Sequence, residues 1–335
     1  MPVRSMGKGV VTGVVMAASL AVAPISAAQD RFSPSQPVEV VIPAGSGGGA
    51  DQIARLLVQL IDEMNVSSYP FVPVNKAGES GAEALNYMTG ESDPDHTVMV
   101  TLNSFYTTPI IVEGLDADPL AFTPVGLMGI DTFLLWVPNT SAYENVTDLE
   151  SYVDTVKATD NWIMGGTGMG QEDSILTAMI EAEFDLDVAY QPYPGGGTVA
   201  ENLVRQKIDS TVNNPAEQID YWRAQMSRPV VQFTDERQAL FPDVPTAQEV
   251  GHDVVYYMQR SINGSPSMSA EAQQWYIDVF RRIFESDGWQ SYCSGEGMNC
   301  DEWVAGPQLA QFHEDNLSRH EQLIDQVGAD AISGN

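Results

Sequence analysis

The chain has 335 residues, 43% hydrophobic and 18% charged, long enough for two domains and too apolar for a disordered protein. Its formal charge is −31, from 46 acidic against 15 basic side chains spread along the sequence. A surface of that sign repels nucleic acid and anionic lipid, which excludes both as expected partners.

Residues 1–28 read as a secretory signal peptide: Arg4 and Lys8 make a basic start, residues 9–28 carry no charge, and Ser26-Ala-Ala28 offers small residues at a cleavage site. The mature protein is expected outside the cytoplasm. No Cys follows the cleavage site, and no later segment has enough uninterrupted apolar residues to span a bilayer.

Val38–Ile42 reads as a strand, Gly45-Ser-Gly-Gly-Gly49 as a loop, and residues 52–64 as a helix with its apolar stripe at Ile53, Leu56, Leu57, Leu60, Ile61 and Met64. Such a junction aims free backbone N–H groups and the positive end of a helix dipole at one spot, a ready anion site. Asp51 sits at the helix start, where an acid suits the dipole. A strand at Phe71–Asn75, a short helix at Gly81–Met88 and a strand at Thr97–Leu102 continue the alternation and indicate parallel βαβ units.

Thr132–Val137 is the next strand and Val146–Ala158 the next helix. Trp162–Met164 runs into a second glycine loop, Gly165–Asp173, which opens a helix at Ser174–Phe184. Val188–Tyr190 leads to a third, Tyr193-Pro-Gly-Gly-Gly-Thr198, followed by a helix at Val199–Gln206. Short strands at Ser210–Asn213 and Pro229–Phe233 close this stretch. After a strand at Val254–Met258 come long helices at Ala270–Glu285 and Phe312–Val327.

Several chemistries are weighed against these loops. Gly45-x-Gly47-x-x-Ala50 matches a loose dinucleotide fingerprint, but the acidic residue expected after the next strand is replaced by Asn75. A phosphate P-loop is excluded because no Gly-Lys-Ser/Thr follows, so no cofactor is expected. Ala44-Gly-Ser46-Gly-Gly48 resembles a nucleophile elbow, and an exported hydrolase using Ser46 with His252 or His313 is the enzyme alternative. Three glycines after Ser46 suit amides wrapping an oxygen better than one tight turn. Thr167, Gln171 and Asp173 at a helix start can cap it or bind a ligand, because both roles use the same atoms. Arg260, just past an apolar strand, is either the partner of one of the many acids or a bidentate clamp on a carboxylate.

Cys293 and Cys300 in an exported chain read as a structural disulfide closing a flexible Gly-containing loop, stabilising by about 2 kcal/mol. None of His96, His252, His313 or His320 stands at metal-ligand spacing.

From about residue 36 to 328 the chain resembles the extracytoplasmic solute receptors of tripartite tricarboxylate transporters. The resemblance rests on Ile42-Pro-Ala-Gly-Ser-Gly-Gly-Gly-Ala-Asp51 with Arg55, on Val74-Asn-Lys-Ala-Gly-Glu-Ser-Gly81, and on Gly165-Gly-Thr-Gly-Met-Gly-Gln-Glu-Asp173. Tyr193-Pro-Gly-Gly-Gly197, Asn213-Asn-Pro-Ala-Glu217 and Asp243-Val-Pro-Thr246 complete it in order. It implies a two-lobed α/β binding protein of the type II Venus-flytrap kind, with residues 29–135 and 236–335 in one lobe and 136–235 in the other.

The family's first and middle loops grip a carboxylate across the cleft, largely through amides and water. The matching positions here are Ser46, Gly47, Gly48, Gly49 and Asp51 in the first loop, then Ser80, Asn103 and Ser104. Thr167, Gly168, Gln171 and Asp173 match in the second, with Tyr193, Asn213 and Arg260 beyond it. The Asn213-Asn214 pair and Arg260 look like the branch that binds di- or tricarboxylates. The implied protein is a monomer without catalytic residues that delivers a small organic acid to membrane permease subunits; a sensor reporting to a membrane kinase is the other non-enzyme alternative. The acidity and the Cys293–Cys300 loop depart from the family pattern.

Overall fold

The computed structural model describes residues 32–333; the signal peptide expected at 1–28 lies outside them. Strand β1 (Val38–Ile42) is followed by α1 (Gly49–Glu63), β2 (Phe71–Asn75), α2 (Ala82–Thr89), β3 (Thr97–Thr101), α3 (Ser104–Ile111) and β4 (Thr123–Thr132). The middle stretch holds β5 (Leu134–Pro138), α4 (Leu149–Lys157), β6 (Ile163–Gly166), α5 (Glu172–Phe184), β7 (Ala189–Pro192), α6 (Gly196–Val204), β8 (Ser210–Thr211), α7 (Pro215–Arg223) and β9 (Ser227–Gln232). The chain ends with β10 (Tyr257–Gly264), α8 (Ala270–Phe284), α9 (Asp287–Glu296), β11 (Val304–Ala305), α10 (Pro307–Val327) and α11 (Ala329–Ser333).

These strands form a six-stranded sheet, order β11-β4-β10-β3-β1-β2, and a five-stranded sheet, order β7-β6-β8-β5-β9. The expected parallel units are present as β2-β1-β3 and β7-β6-β8. Both sheets are nevertheless mixed, because β10, β4 and β11 add antiparallel to the first and β5 and β9 to the second. The chain passes between sheets at Phe133, directly from β4 to β5, and leaves the second at Phe233. The two crossings touch: the Phe233 amide donates to the Phe133 carbonyl at 3.0 Å, and both rings are fully buried.

Apolar periodicity accounts for the main helices. In α1, Ile53, Leu57, Leu60 and Ile61 are buried against the first sheet's core, while Leu56 and Met64 are half-buried at its margin. In α8, Tyr276, Val279, Phe280 and Ile283 are buried, with the Phe71 ring edge-to-face against Tyr276 and Phe280.

The two longest strands depart from the sequence expectation. β4 was not anticipated because Pro124, Gly126 and Gly129 weaken its apolar pattern. Those glycines are required: a Cβ at Gly126 would overlap the Trp303 ring, and one at Gly129 would lie 2.8 Å from Cys300 Sγ. The strand expected at Val254–Met258 begins later, at Tyr257, and runs through the polar stretch Gln259–Gly264. That stretch is buried because its polar groups are paired. Thr101 Oγ1 and Ser261 Oγ lie 2.7 Å apart, and His313 Nε2 reaches Asn263 Oδ1 at 3.0 Å. Burial pushes the His313 imidazole down to about 4, so it is neutral at pH 7.

Cys293 and Cys300 are bonded, as expected, with Cα atoms 6.2 Å apart. The segment between them is not the flexible loop expected. It is the end of α9, a left-handed cap at Gly297 (φ 72°), and a β-bridge in which Ile130 and Asn299 exchange backbone hydrogen bonds of 2.8 and 2.9 Å. Replacing both cysteines by serine is expected to lower stability by about 2 kcal/mol, read as a shift in urea midpoint. An unchanged midpoint would contradict the structural role.

Candidate functional site

The loops that follow β1, β3, β6 and β7 all leave the carboxyl ends of parallel strands, where open α/β sheets present their ligands. Helix α1 begins at Gly49 with Gly48 as its N-cap, so the N-cap residue itself has no side chain to cap the first amides. Gly47 takes φ 84°, which glycine adopts at little cost. Its amide donates to Asp51 Oδ2 at 2.9 Å. Burial opposes ionisation of Asp51, but Arg55, the Gly47 amide and Asn75 together hold its carboxyl below the usual carboxylate range. Asp51 therefore shapes the loop, and Gly47 has no amide to spare.

The second loop caps itself. The Thr167 amide donates to Asp173 Oδ2 at 2.8 Å, the Gly168 amide to Gln171 Oε1 at 2.7 Å, and the Gly170 amide to Ser174 Oγ at 2.8 Å. What remains open is the buried Thr167 hydroxyl, which has no hydrogen-bond partner among the described residues.

The third loop lies directly on the first. The Gly45 amide donates to the Pro194 carbonyl at 3.1 Å. Added Cβ atoms would fall 2.8 Å from Pro194 O at Gly45 and 2.5 Å from Gly47 O at Gly197, so the two backbones meet at a separation only glycine permits. The first-turn amides of α6, at Gly196 and Gly197, find no acceptor among the described residues.

Arg260 stands in the middle of β10, beside a register shift between Arg260 and Ser261. It is only 2% exposed. Its Nε and Nη2 donate to Asp131 Oδ2 at 3.0 and 2.5 Å, and Nη2 also reaches Asn214 Oδ1 at 3.1 Å. Despite burial, Asp131 and Glu217 hold the guanidinium firmly charged. Arg260 thus has an internal acid as partner while still lining the cleft.

These elements enclose a cavity of about 30 Å³, room for roughly one or two waters. Its walls include Gly48, Gly49, Thr167, Gln171, Asp173 and Arg260 from the expected set. They also include Asn214 of the Asn213-Asn214 pair, Pro194, Gly195 and Gly196 of the third glycine loop, and Glu172 and Glu217, to which the sequence assigns no individual site role. Glu217 Oε1 accepts the Gly49 amide at 2.9 Å, and Glu172 Oε1 accepts the Ser104 amide at 2.5 Å. Burial, with help from the Glu217 charge, pushes Asp173 up to about 8. Burial pushes Glu217 up to about 7, against the pull of the Gly49 amide and Arg260. Burial also raises Glu172.

The other expected positions have different surroundings. The Ser80 hydroxyl donates to Met169 O at 2.8 Å, joining the segment after β2 to the second loop. Asn103 ties β3 to β10 through Tyr257 O and the Gln259 amide. Asn213 is fully buried and holds Gly196 O through Nδ2 at 2.9 Å, leaving Asn214 to face the cleft. Tyr193 packs against the small apolar cluster that includes Trp136 and Phe241. The Ser46 hydroxyl reaches only Asn75 Oδ1, at 3.5 Å. His96, His252, His313 and His320 bond Asp93, Glu183, Tyr106 and Tyr256 respectively, so no histidine among them serves Ser46 as a base.

Comparison with known proteins agrees with this geometry. The chain is 24% identical to protein BugT of Bordetella pertussis over 250 residues, covering 72% of this chain and 73% of that protein. It is 22% identical over 322 residues to a protein of Cupriavidus necator, with 95% of each covered. Among solved structures, the periplasmic binding protein BugD superposes with a TM-score of 0.82 at 16% identity, over 88% of this chain and 99% of that one. MatC of Rhodopseudomonas palustris, solved with malate, gives 0.79 at 21% identity over 87% and 99%. Rpa4515 of the same organism, solved with adipate, gives 0.80 at 20% over 88% and 98%. The profile of the tripartite tricarboxylate transporter family receptors matches residues 57–329, and the chain belongs to that family of solute-binding receptors, which are not enzymes.

Proposed function

We propose that this receptor captures a small di- or tricarboxylate in the periplasm and hands it to the permease of a tripartite tricarboxylate transporter. The observation that carries the reading is the convergence of two helix starts with glycine N-caps, α1 at Gly49 and α6 at Gly196, with Arg260 on one cleft. Each supplies positive potential without a metal, which an acidic protein needs to hold an anion. MatC with malate and Rpa4515 with adipate support the carboxylate class.

In this reading each sheet is the core of one lobe, and the crossings at Phe133 and Phe233 form the hinge. Ligand entry requires the lobes to part. On closure the first and third glycine loops meet, water leaves, and the amide and Arg260 contacts strengthen in lower dielectric. The Thr167 hydroxyl adds a neutral hydrogen bond to the ligand. The segment 1–28 is removed on export.

Thermal shift and titration calorimetry with malate, adipate and citrate are expected to raise the melting temperature by several degrees for at least one of them at saturation. Their amides, at the same concentrations, are expected to do nothing. Stabilisation by none of the acids would contradict the reading.

A further inference from the structure

Three groups suited to an anion surround Glu217. Its carboxylate accepts the Gly49 amide at the start of α1. A Cβ on Gly196, at the start of α6, would overlap that same carboxylate. A Cβ on Gly49 would lie 2.8 Å from Arg260 Nη2 and 3.5 Å from Glu217 Oε1, so guanidinium and carboxylate flank one backbone position. Glu217 is held there by the first turn of α7, whose start is fixed by Pro215 and by the Asn214 side chain on Thr132 O at 2.6 Å.

We propose that the Glu217 carboxylate is a built-in competitor, filling the anion seat of the closed, ligand-free receptor, and that a carboxylate ligand binds by displacing it. This rests on the carboxylate reading above. It also accounts for the size of the cavity, whose anion seat is occupied from within. A carboxylate tethered beside its seat acts at an effective concentration of order millimolar or more, so weak ligands are outcompeted.

The competitor's strength depends on its charge. The charged and titratable groups around it are Arg260 on β10, Asp131 on β4, Glu172 and Asp173 on α5, and Tyr292 on α9. Only Arg260 among them is positive. Burial among acids raises Glu217, so it is largely neutral below pH 7 and ionised above. An ionised Glu217 bonds the Gly49 amide more strongly and repels an incoming carboxylate, so competition grows from pH 6 to pH 8.

Two measurements test this. In the ligand-free protein, the Gly49 amide resonance is expected to titrate with a midpoint near 7 in the wild type. In Glu217→Gln that titration is expected to vanish. In calorimetry at pH 8, Glu217→Gln and Glu217→Ala are each expected to bind malate or adipate about tenfold more tightly than the wild type, with the gain shrinking at pH 6. Equal or weaker binding by both folded variants would overturn the proposal while leaving the carboxylate reading intact. If neither acid binds any form, the carboxylate reading fails, and the Gly49 titration still decides whether Glu217 occupies the seat; a Gly49 amide indifferent to the Gln substitution would overturn that too.

Discussion

Gly197→Ala is expected to weaken carboxylate binding by about ten- to a hundredfold. The added methyl would sit 2.5 Å from Gly47 O, where the first and third loops meet. Overpacking of that kind costs about 1–3 kcal/mol. Backbone lies on the far side, so no flexible side chain can yield. In this account the clash exists only when the loops are together. The cost therefore falls on the closed form and is read as lost affinity, while the melting temperature of the ligand-free protein changes less. Gly295→Ala is the control, because its Cβ would meet nothing within 4 Å. Wild-type affinity in Gly197→Ala would mean that binding does not require the loops to meet.

Arg260→Met is expected to destabilise the fold by about 3–5 kcal/mol, the usual result of leaving one member of a buried ion pair alone. Asp131 would lose a partner at 2.5 Å, and Glu217 and Glu172 would lose their nearby positive charge. The companion variant Arg260→Met with Asp131→Leu is expected to recover part of the loss. Urea denaturation measures both, and a loss under about 1 kcal/mol would show that the pair is not what holds the charge buried.

The pH dependence follows from the same cluster. Glu217 and Asp173 stand at about 7 and about 8, above their unfolded values, so the native state binds more protons there. Their stabilisation is fully present below the ordinary carboxylate range and is lost as pH rises through 7 to 8. Asp51 has the opposite sign: held low, it stabilises above its unfolded value and loses that only in acid. His313 and His320, held at about 4 by burial, have that sign too and offset the loss up to about pH 6.5. Stability is therefore expected to fall between about pH 6.5 and pH 8.5, and further in Arg260→Met.

The glycine loops were legible because strand, glycine run and helix follow one another without interruption at each junction. The apolar stripe of α1 was legible for the same reason that it folds: one face repeats at helical spacing. β10 was misplaced because its code is polar. Gln259, Arg260, Ser261 and Asn263 become a buried strand only through Thr101, Asn103, Asp131 and His313, which lie far away in sequence. The cleft itself was half legible. Asn213 and Asn214 were read as a pair, but alternation past a strand end turns only Asn214 toward the cavity. Glu217 closes the Asn213–Glu217 motif, but nothing local distinguishes it as a site residue among 46 acids. Its first-turn position on a proline-led helix was the available signal.

The most direct test of the central claim is the crystal structure of the receptor with malate or adipate bound. The account predicts a ligand carboxylate within hydrogen-bond distance of the Gly49 and Gly196 amides, with Glu217 turned away. A ligand seated elsewhere, for instance in the 510 Å³ pocket beside Tyr257 and Arg319, with Glu217 still on Gly49, would contradict it.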